Sequence, residues 1–210
     1  MEYSLPGTSR GLYAITPDSV AEESLASMVT AALEAGASVV QFREKKSPLV
    51  QGVARVRRLA GLCRAYGVPL IVNDNLALAL ASGAAGVHLG KDELDSMAEA
   101  RSVKPRLIVG ISCYDSLERA RMAVRDGADY VAFGSFYPSG TKPGAVRCPI
   151  EILRAAREEL AVPIVAIGGI TPENGGALVD AGADYVAAIS GVFDQHEIPV
   201  AVAAYRRLFT

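Results

Sequence analysis

The sequence predicts a (β/α)8 barrel, the TIM-barrel form of the α/β class, and three observations predict it. Eight short apolar runs recur along 210 residues, helical patterns fill the intervals, and nearly every run stops in polar residues or glycine. Continuous apolar runs mark parallel strands buried on both faces. Strand–helix alternation then demands right-handed crossovers. In a closed parallel barrel every strand C-terminus opens onto one face, and that face carries the chemistry. A doubly wound open sheet, the competing arrangement, more often has five to seven strands. A single barrel domain over residues 1–210 is expected.

The strands are read at 11–16, 38–43, 69–74, 86–90, 106–112, 130–135, 163–169 and 185–190. After the first, Leu25, Met28, Val29, Ala32 and Leu33 recur at three- and four-residue spacing, the period of an amphipathic helix. Leu117, Ala120, Met122, Ala123 and Val124 do so less cleanly before the sixth. Gly36, Gly67, Gly83, Gly127 and Gly182 each stand shortly before a strand, where a left-handed helix C-cap is expected. Three of these glycines share a phrase: Glu34-Ala35-Gly36-Ala37, Asp126-Gly127-Ala128-Asp129 and Ala181-Gly182-Ala183-Asp184. It is a supersecondary repeat rather than a domain duplication.

Composition excludes several roles. Half the residues are hydrophobic and the net charge is -2, so no basic stripe suits nucleic acid. Three cysteines, Cys63, Cys113 and Cys148, lie far apart with no C-x-x-C, which argues against disulfides or zinc and fits a reducing cytoplasm. The N-terminus lacks the pattern of a signal peptide, and no apolar run is long enough to span a bilayer. Small-molecule substrates are the expected partners; a homo-oligomer is allowed, but the sequence does not specify the oligomeric state.

The strand ends carry the chemistry. Gly168-Gly169 after the seventh strand, with Thr171-Pro172 starting a helix, and Ser190-Gly191 after the eighth, suit a phosphate cradled by backbone amides. At the second strand, alternation aims Gln41, Arg43 and Lys45 to one side and Phe42 and Glu44 to the other. An Arg and a Lys at a barrel mouth suit a second multivalent anion. Asn73-Asp74 ends the third strand, and Lys91-Asp92-Glu93 follows the fourth, which would bring carboxylates within reach of one magnesium ion. The competing reading makes Asp74 the N-cap of a helix over 75–81. The loop from Phe136 to Gly144 joins Ser139, Gly140, Thr141 and Lys142 in a flap-like composition. His88 is read as a packed, hydrogen-bonded residue, Cys113 as core, and Ser112 as a ligand contact.

Taken together, these segments resemble the thiamine-phosphate synthase family over nearly the whole chain. The resemblance rests on Leu12 through Asp18, Val40 through Lys45, Ile71 through Asp74, Gly86 through Gly90, and Gly110 through Ser112. It continues through Gly134 to Lys142, Ala166 to Ile170, and Ile189-Ser190. It implies a transferase that joins hydroxymethylpyrimidine pyrophosphate to hydroxyethylthiazole phosphate with Mg²⁺, giving thiamine phosphate and pyrophosphate. It also implies that Gln41, Arg43, Lys45, Asn73 and Lys142 hold the pyrimidine pyrophosphate, with Arg43, Lys45 and Lys142 acting on the leaving group. Asp74 and Glu93 match the metal ligands, and Ser112 would face the pyrimidine. Ser139 and Thr141, with Gly169, Ile189 and Ser190, would hold the thiazole phosphate, and Gly140 is counted with the substrate-binding residues. Phe42 and Glu44 are counted with the substrate-binding segment. Lys91 stands where the family usually has Gln, and Ser139 where it usually has Thr. Glu93 replaces the more usual Asp, which leaves Asp92 as the alternative ligand.

Two other readings compete. A related thiazole tautomerase would carry its catalytic His near Tyr114 and be weaker at Asn73-Asp74; here the pair is intact and Tyr114 is not His. A barrel that merely senses phosphorylated ligands would bind without turnover.

Overall fold

The computed structural model describes residues 5, 10–44, 49–90, 96–103, 107–140, 144 and 146–210. Eight parallel strands close in sequence order: β1 (Gly11–Ile15), β2 (Val39–Phe42), β3 (Leu70–Asn73), β4 (Gly86–Leu89), β5 (Ile108–Tyr114), β6 (Tyr130–Phe133), β7 (Ile164–Ile167) and β8 (Tyr185–Ala188). β8 returns to β1 with Gly11 opposite Tyr185. Each expected strand is present, and Gln41, Asn73, His88 and Ser112 stand among the last paired residues of β2, β3, β4 and β5, while Arg43 and Asp74 follow just beyond.

The outer ring consists of α1 (Glu22–Glu34), α2 (Leu49–Ala65), α3 (Leu76–Ser82), α4 (Ser96–Val103), α5 (Leu117–Arg125), α6 (Glu151–Glu159), α7 (Gly176–Asp180), α8 (Ser190–Phe193) and α9 (Ile198–Arg206). In α1 the stripe Leu25, Ala26, Val29, Ala32 and Leu33 is buried. In α5 only part of the expected stripe turns inward: Ala120 and Ala123 are buried, whereas Met122 faces solvent.

Strand alternation separates two apolar layers. Leu12, Ala14, Val40, Phe42, Val72, Val87, Val109 and Val131 face the helices. Tyr13, Ile15, Val39, Ile71, Ile108, Tyr130, Val165 and Tyr185 fill the barrel. Truncating a fully buried side chain such as Leu12 to Ala would cost about 2–5 kcal/mol.

The repeated phrase has a physical role. Gly127 and Gly182 take positive φ values of 97° and 109°, and Ala128 and Ala183 pack into the core. The closing aspartates then reach sideways. Asp129 Oδ2 accepts from the Val109 amide at 2.7 Å, and Asp184 Oδ2 from the Ile164 amide at 2.8 Å. Arg101 and Arg157 brace the same carboxylates. Each aspartate thus ties the base of one strand to its neighbour, at the end away from the strand C-termini.

Two local readings need correction. α3 is capped by Asn75, whose side chain accepts from the Leu78 amide at 2.8 Å, so Asp74 is released from capping. After β7, Pro172 opens a turn rather than a helix, and α7 starts only at Gly176. Asn174 holds that turn, accepting from the Thr171 amide and donating to Gly169 O.

Candidate active site

A cavity of about 900 Å³ opens at the C-terminal mouth of the barrel. Inward alternation brings Gln41, Asn73, His88 and Ser112 to it from β2, β3, β4 and β5, and Arg43 follows just beyond β2. Ser139 and Gly140 approach from the β6–α6 loop; Gly169, Ile189 and Ser190 close the side after β7 and β8. Lys45, Asp92, Glu93, Thr141 and Lys142 lie outside the described residues.

Phe42 and Glu44 are not brought to the cavity. Phe42 points outward into the layer beneath the helices, with the Arg55 guanidinium 5.9 Å above its ring. Glu44 pairs with Arg55 at 2.7 Å, and Arg55 also donates to Val20 O. Their segment matches a binding sequence, but the period of two turns these side chains toward α2.

Arg43 is held from its backbone outward. Its amide donates to Thr16 Oγ1 at 3.0 Å, and its guanidinium pairs with Asp18. Asp18 was not singled out in the sequence; its signal is its place just past β1, beside the end of β2. At β3, Asp74 adopts φ 59° and receives a hydrogen bond from Asn73 Nδ2 at 2.6 Å. Its own amide donates to His88 O, which ties it to the end of β4. A half-buried carboxylate oriented by a neighbouring amide fits one hard-cation ligand. Among the described residues no three His, Cys, Asp or Glu side chains gather. Asp92 and Glu93, the carboxylates expected to join Asp74, lie outside the described residues.

At β5 the ladder slips between Ser112 and Tyr114, and Tyr114 takes φ 55°. This bulge re-aims the strand end. Arg119 braces it, donating to Ser112 O at 2.7 Å and Gly90 O at 3.2 Å while its guanidinium lies over the Tyr114 ring. Cys113 is buried, and desolvation pushes its thiol up to about 12. It remains protonated and is no nucleophile near neutrality.

The glycine pair after β7 permits a close approach. Gly168 and Gly169 have φ 105° and 61°. A Cβ on Gly168 would meet Ser135 Oγ at 2.0 Å, and one on Gly169 would meet Pro138 O at 2.3 Å. The β6–α6 loop therefore lies directly on the glycine backbone, with the Tyr137 amide donating to Gly168 O. Behind it, Tyr205 Oη donates to Ile170 O at 2.7 Å.

The floor of the cavity contains two residues that the sequence reading missed, Tyr13 and Tyr130. Gln41 Nε2 lies 2.9 Å from Tyr13 Oη, which lies 2.8 Å from Tyr130 Oη. Tyr130 Oη is 2.9 Å from His88 Nδ1, and His88 Nε2 is 2.8 Å from Ser112 Oγ. His88 is thus the satisfied interior residue expected of it. A tyrosine in an apolar run resembles core, and only barrel closure reveals its distant partner.

Residues 12–192 match the thiamine monophosphate synthase family. Among curated relatives, the thiamine-phosphate synthase of Thiobacillus denitrificans is 50% identical over 200 residues, 95% of this chain and 94% of that one. That of Methylococcus capsulatus is 50% identical over 206 residues, 98% and 92% of the two chains. Among solved structures, a thiamine phosphate pyrophosphorylase from Pyrococcus furiosus superposes with a TM-score of 0.85 at 34% identity, covering 96% of each chain.

Proposed function

This chain belongs to the thiamine monophosphate synthase family, and we propose how its mouth residues divide the work of joining the two thiamine precursors. The enzyme is a transferase: the thiazole ring nitrogen bonds to the methylene carbon of the pyrimidine substrate. The methylene carbon–oxygen bond breaks, and pyrophosphate departs with the electron pair. Thiamine phosphate is the other product.

One observation supports the residue assignment above others. Gln41, Arg43, Asn73 and Ser112 share a single cavity with Ser139, Gly169, Ile189 and Ser190. Its volume of about 900 Å³ falls within the ordinary range for small-molecule sites. Arg43, oriented by Asp18, faces the pyrophosphate with Lys45 and Lys142 and stabilises charge growing on the leaving oxygen. Asp74 is the first metal ligand, and Glu93 or Asp92 the second. A bound Mg²⁺ supplies further charge neutralisation on the pyrophosphate. Gln41, Asn73 and Ser112 orient the pyrimidine substrate. Ser139, Gly140 and Thr141, with the backbone around Gly169, Ile189 and Ser190, hold the thiazole phosphate.

The chemistry needs positioning and water exclusion rather than a protein nucleophile. No helix among the described residues is long and apolar enough to cross a membrane. The three cysteines are free and buried, which supports a reducing cytoplasm. The test mixes purified protein with both substrates and Mg²⁺ and follows thiamine phosphate and pyrophosphate. Equal, magnesium-dependent release of the two products is expected. Binding of both substrates without turnover would reject the assignment in favour of a sensor.

A further inference from the structure

We infer that the buried chain Gln41–Tyr13–Tyr130–His88–Ser112 runs in one sense only, fixing His88 as the Nε2–H tautomer and leaving the Ser112 proton for the ligand. The inference rests on the substrate role proposed for Ser112 and extends inward from it. Five side chains from β2, β1, β6, β4 and β5 meet across the barrel interior, at distances of 2.9, 2.8, 2.9 and 2.8 Å.

The sense is set at the head. An amide nitrogen donates and cannot accept, so the Tyr13 oxygen accepts from Gln41 Nε2. The Tyr13 proton then goes to Tyr130, and the Tyr130 proton to His88 Nδ1. An imidazole that accepts at Nδ1 carries its proton on Nε2, which donates to Ser112 Oγ. The Ser112 proton is left for the cavity. In this sense both phenol protons have an acceptor within the chain, whereas the reverse sense sets the Tyr13 proton against an amide N–H. Both phenols are fully buried, and desolvation raises them well above their ordinary value, so each keeps its proton.

The barrel is shaped around this chain. The Tyr130 ring stacks on His88 with centroids 5.5 Å apart. It occupies the space beside Gly110, where a Cβ would fall 1.9 Å from Tyr130 Cζ. With its proton turned to the cavity, Ser112 suits a lone pair on the substrate, such as a pyrimidine ring nitrogen. Tyr13, Tyr130 and His88 are thus positioning residues, acting through the proton that Ser112 presents.

Nitrogen-15 spectra of histidine-labelled protein test this directly. The chain has two histidines, and His196 is exposed. They are recorded above the ordinary imidazole pKa of about 6.5. His88 is expected with its proton on Nε2; a proton on Nδ1, or on both nitrogens, overturns the inference. Gln41→Glu turns the head into an acceptor and should move the proton to Nδ1. An unchanged tautomer in the folded variant would also overturn it.

Kinetics supply the second readout. Tyr130→Phe and Ser112→Ala should each lower kcat/KM about tenfold, the scale of one hydrogen bond. The double variant should be no worse than either. Additive losses would show that Tyr130 does not act through Ser112. Wild-type spectra require no turnover, so failure of the synthase assignment and failure of the tautomer assignment are separately visible.

Discussion

The two sides of the barrel mouth are built from different materials. From β2 to β5 the lining consists of side chains: Arg43 on Asp18, Asn73 on Asp74, and Ser112 on His88. After β7 and β8 it is mostly backbone, with Gly168 and Gly169 pressed against the β6–α6 loop and Ile189-Ser190 beside them. The contrast teaches where each side is vulnerable. A side-chain site fails when a functional group is removed, while a backbone site fails when a methyl group is added.

The sharpest way to break this comparison is Asp74→Ala. Loss of the carboxylate proposed to hold the metal should reduce turnover at limiting Mg²⁺ by more than about a hundredfold while Tm changes little. Activity unaltered across a magnesium titration would remove Asp74 from the ligand set. Arg43→Ala comes next, with a loss of about a hundredfold shared between kcat and KM for the pyrimidine substrate. If only thiazole phosphate KM moved, the two sides would have been assigned in reverse.

Gly169→Ala probes the backbone side. Its φ of 61° and the 2.3 Å approach to Pro138 O leave no room for a methyl group. A stability loss of about 1–3 kcal/mol is expected by thermal or denaturant unfolding, together with a raised KM for thiazole phosphate. A raised pyrimidine KM instead would blur the division. Glu44→Gln should separate packing from binding. Weakening the Glu44–Arg55 pair costs about 1–2 kcal/mol of stability, with steady-state constants unchanged. Altered constants would bring Glu44 back to the substrate.

The smallest effect is expected at Cys113. Its raised pKa, about 12, keeps it a thiol at pH 8, because a thiolate forms only as pH climbs toward that value. Native enzyme treated with a maleimide at about pH 8 should retain full activity with Cys113 unlabelled by mass spectrometry. Rapid labelling with inactivation would show that the β5 end opens readily.

The barrel was legible because its cues are local. Apolar runs, strand-end polarity and the positive-φ glycines Gly36, Gly67, Gly83, Gly127 and Gly182 each lie within a few residues of what they specify. The mouth was legible in outline, since residues beyond a parallel strand reach that face wherever the strand sits. Detail was lost where it depends on distant pairing. Tyr13 and Tyr130 are 117 residues apart in the chain, yet share a hydrogen bond. Asp18 acquires its role only when β1 and β2 lie side by side. The parity of Glu44 is visible in the sequence but its partner Arg55 is not, and Asn75 outcompetes Asp74 for the α3 cap by one position.

The aspartates at the strand bases have an evolutionary consequence. Asp129 and Asp184 brace the barrel at the end remote from the cavity. None of the four residues in these two hydrogen bonds lines the cavity. A lineage can therefore exchange a position such as Ser139 without breaking these ties. The frame then acts as a chassis, with chemical variation confined to its rim.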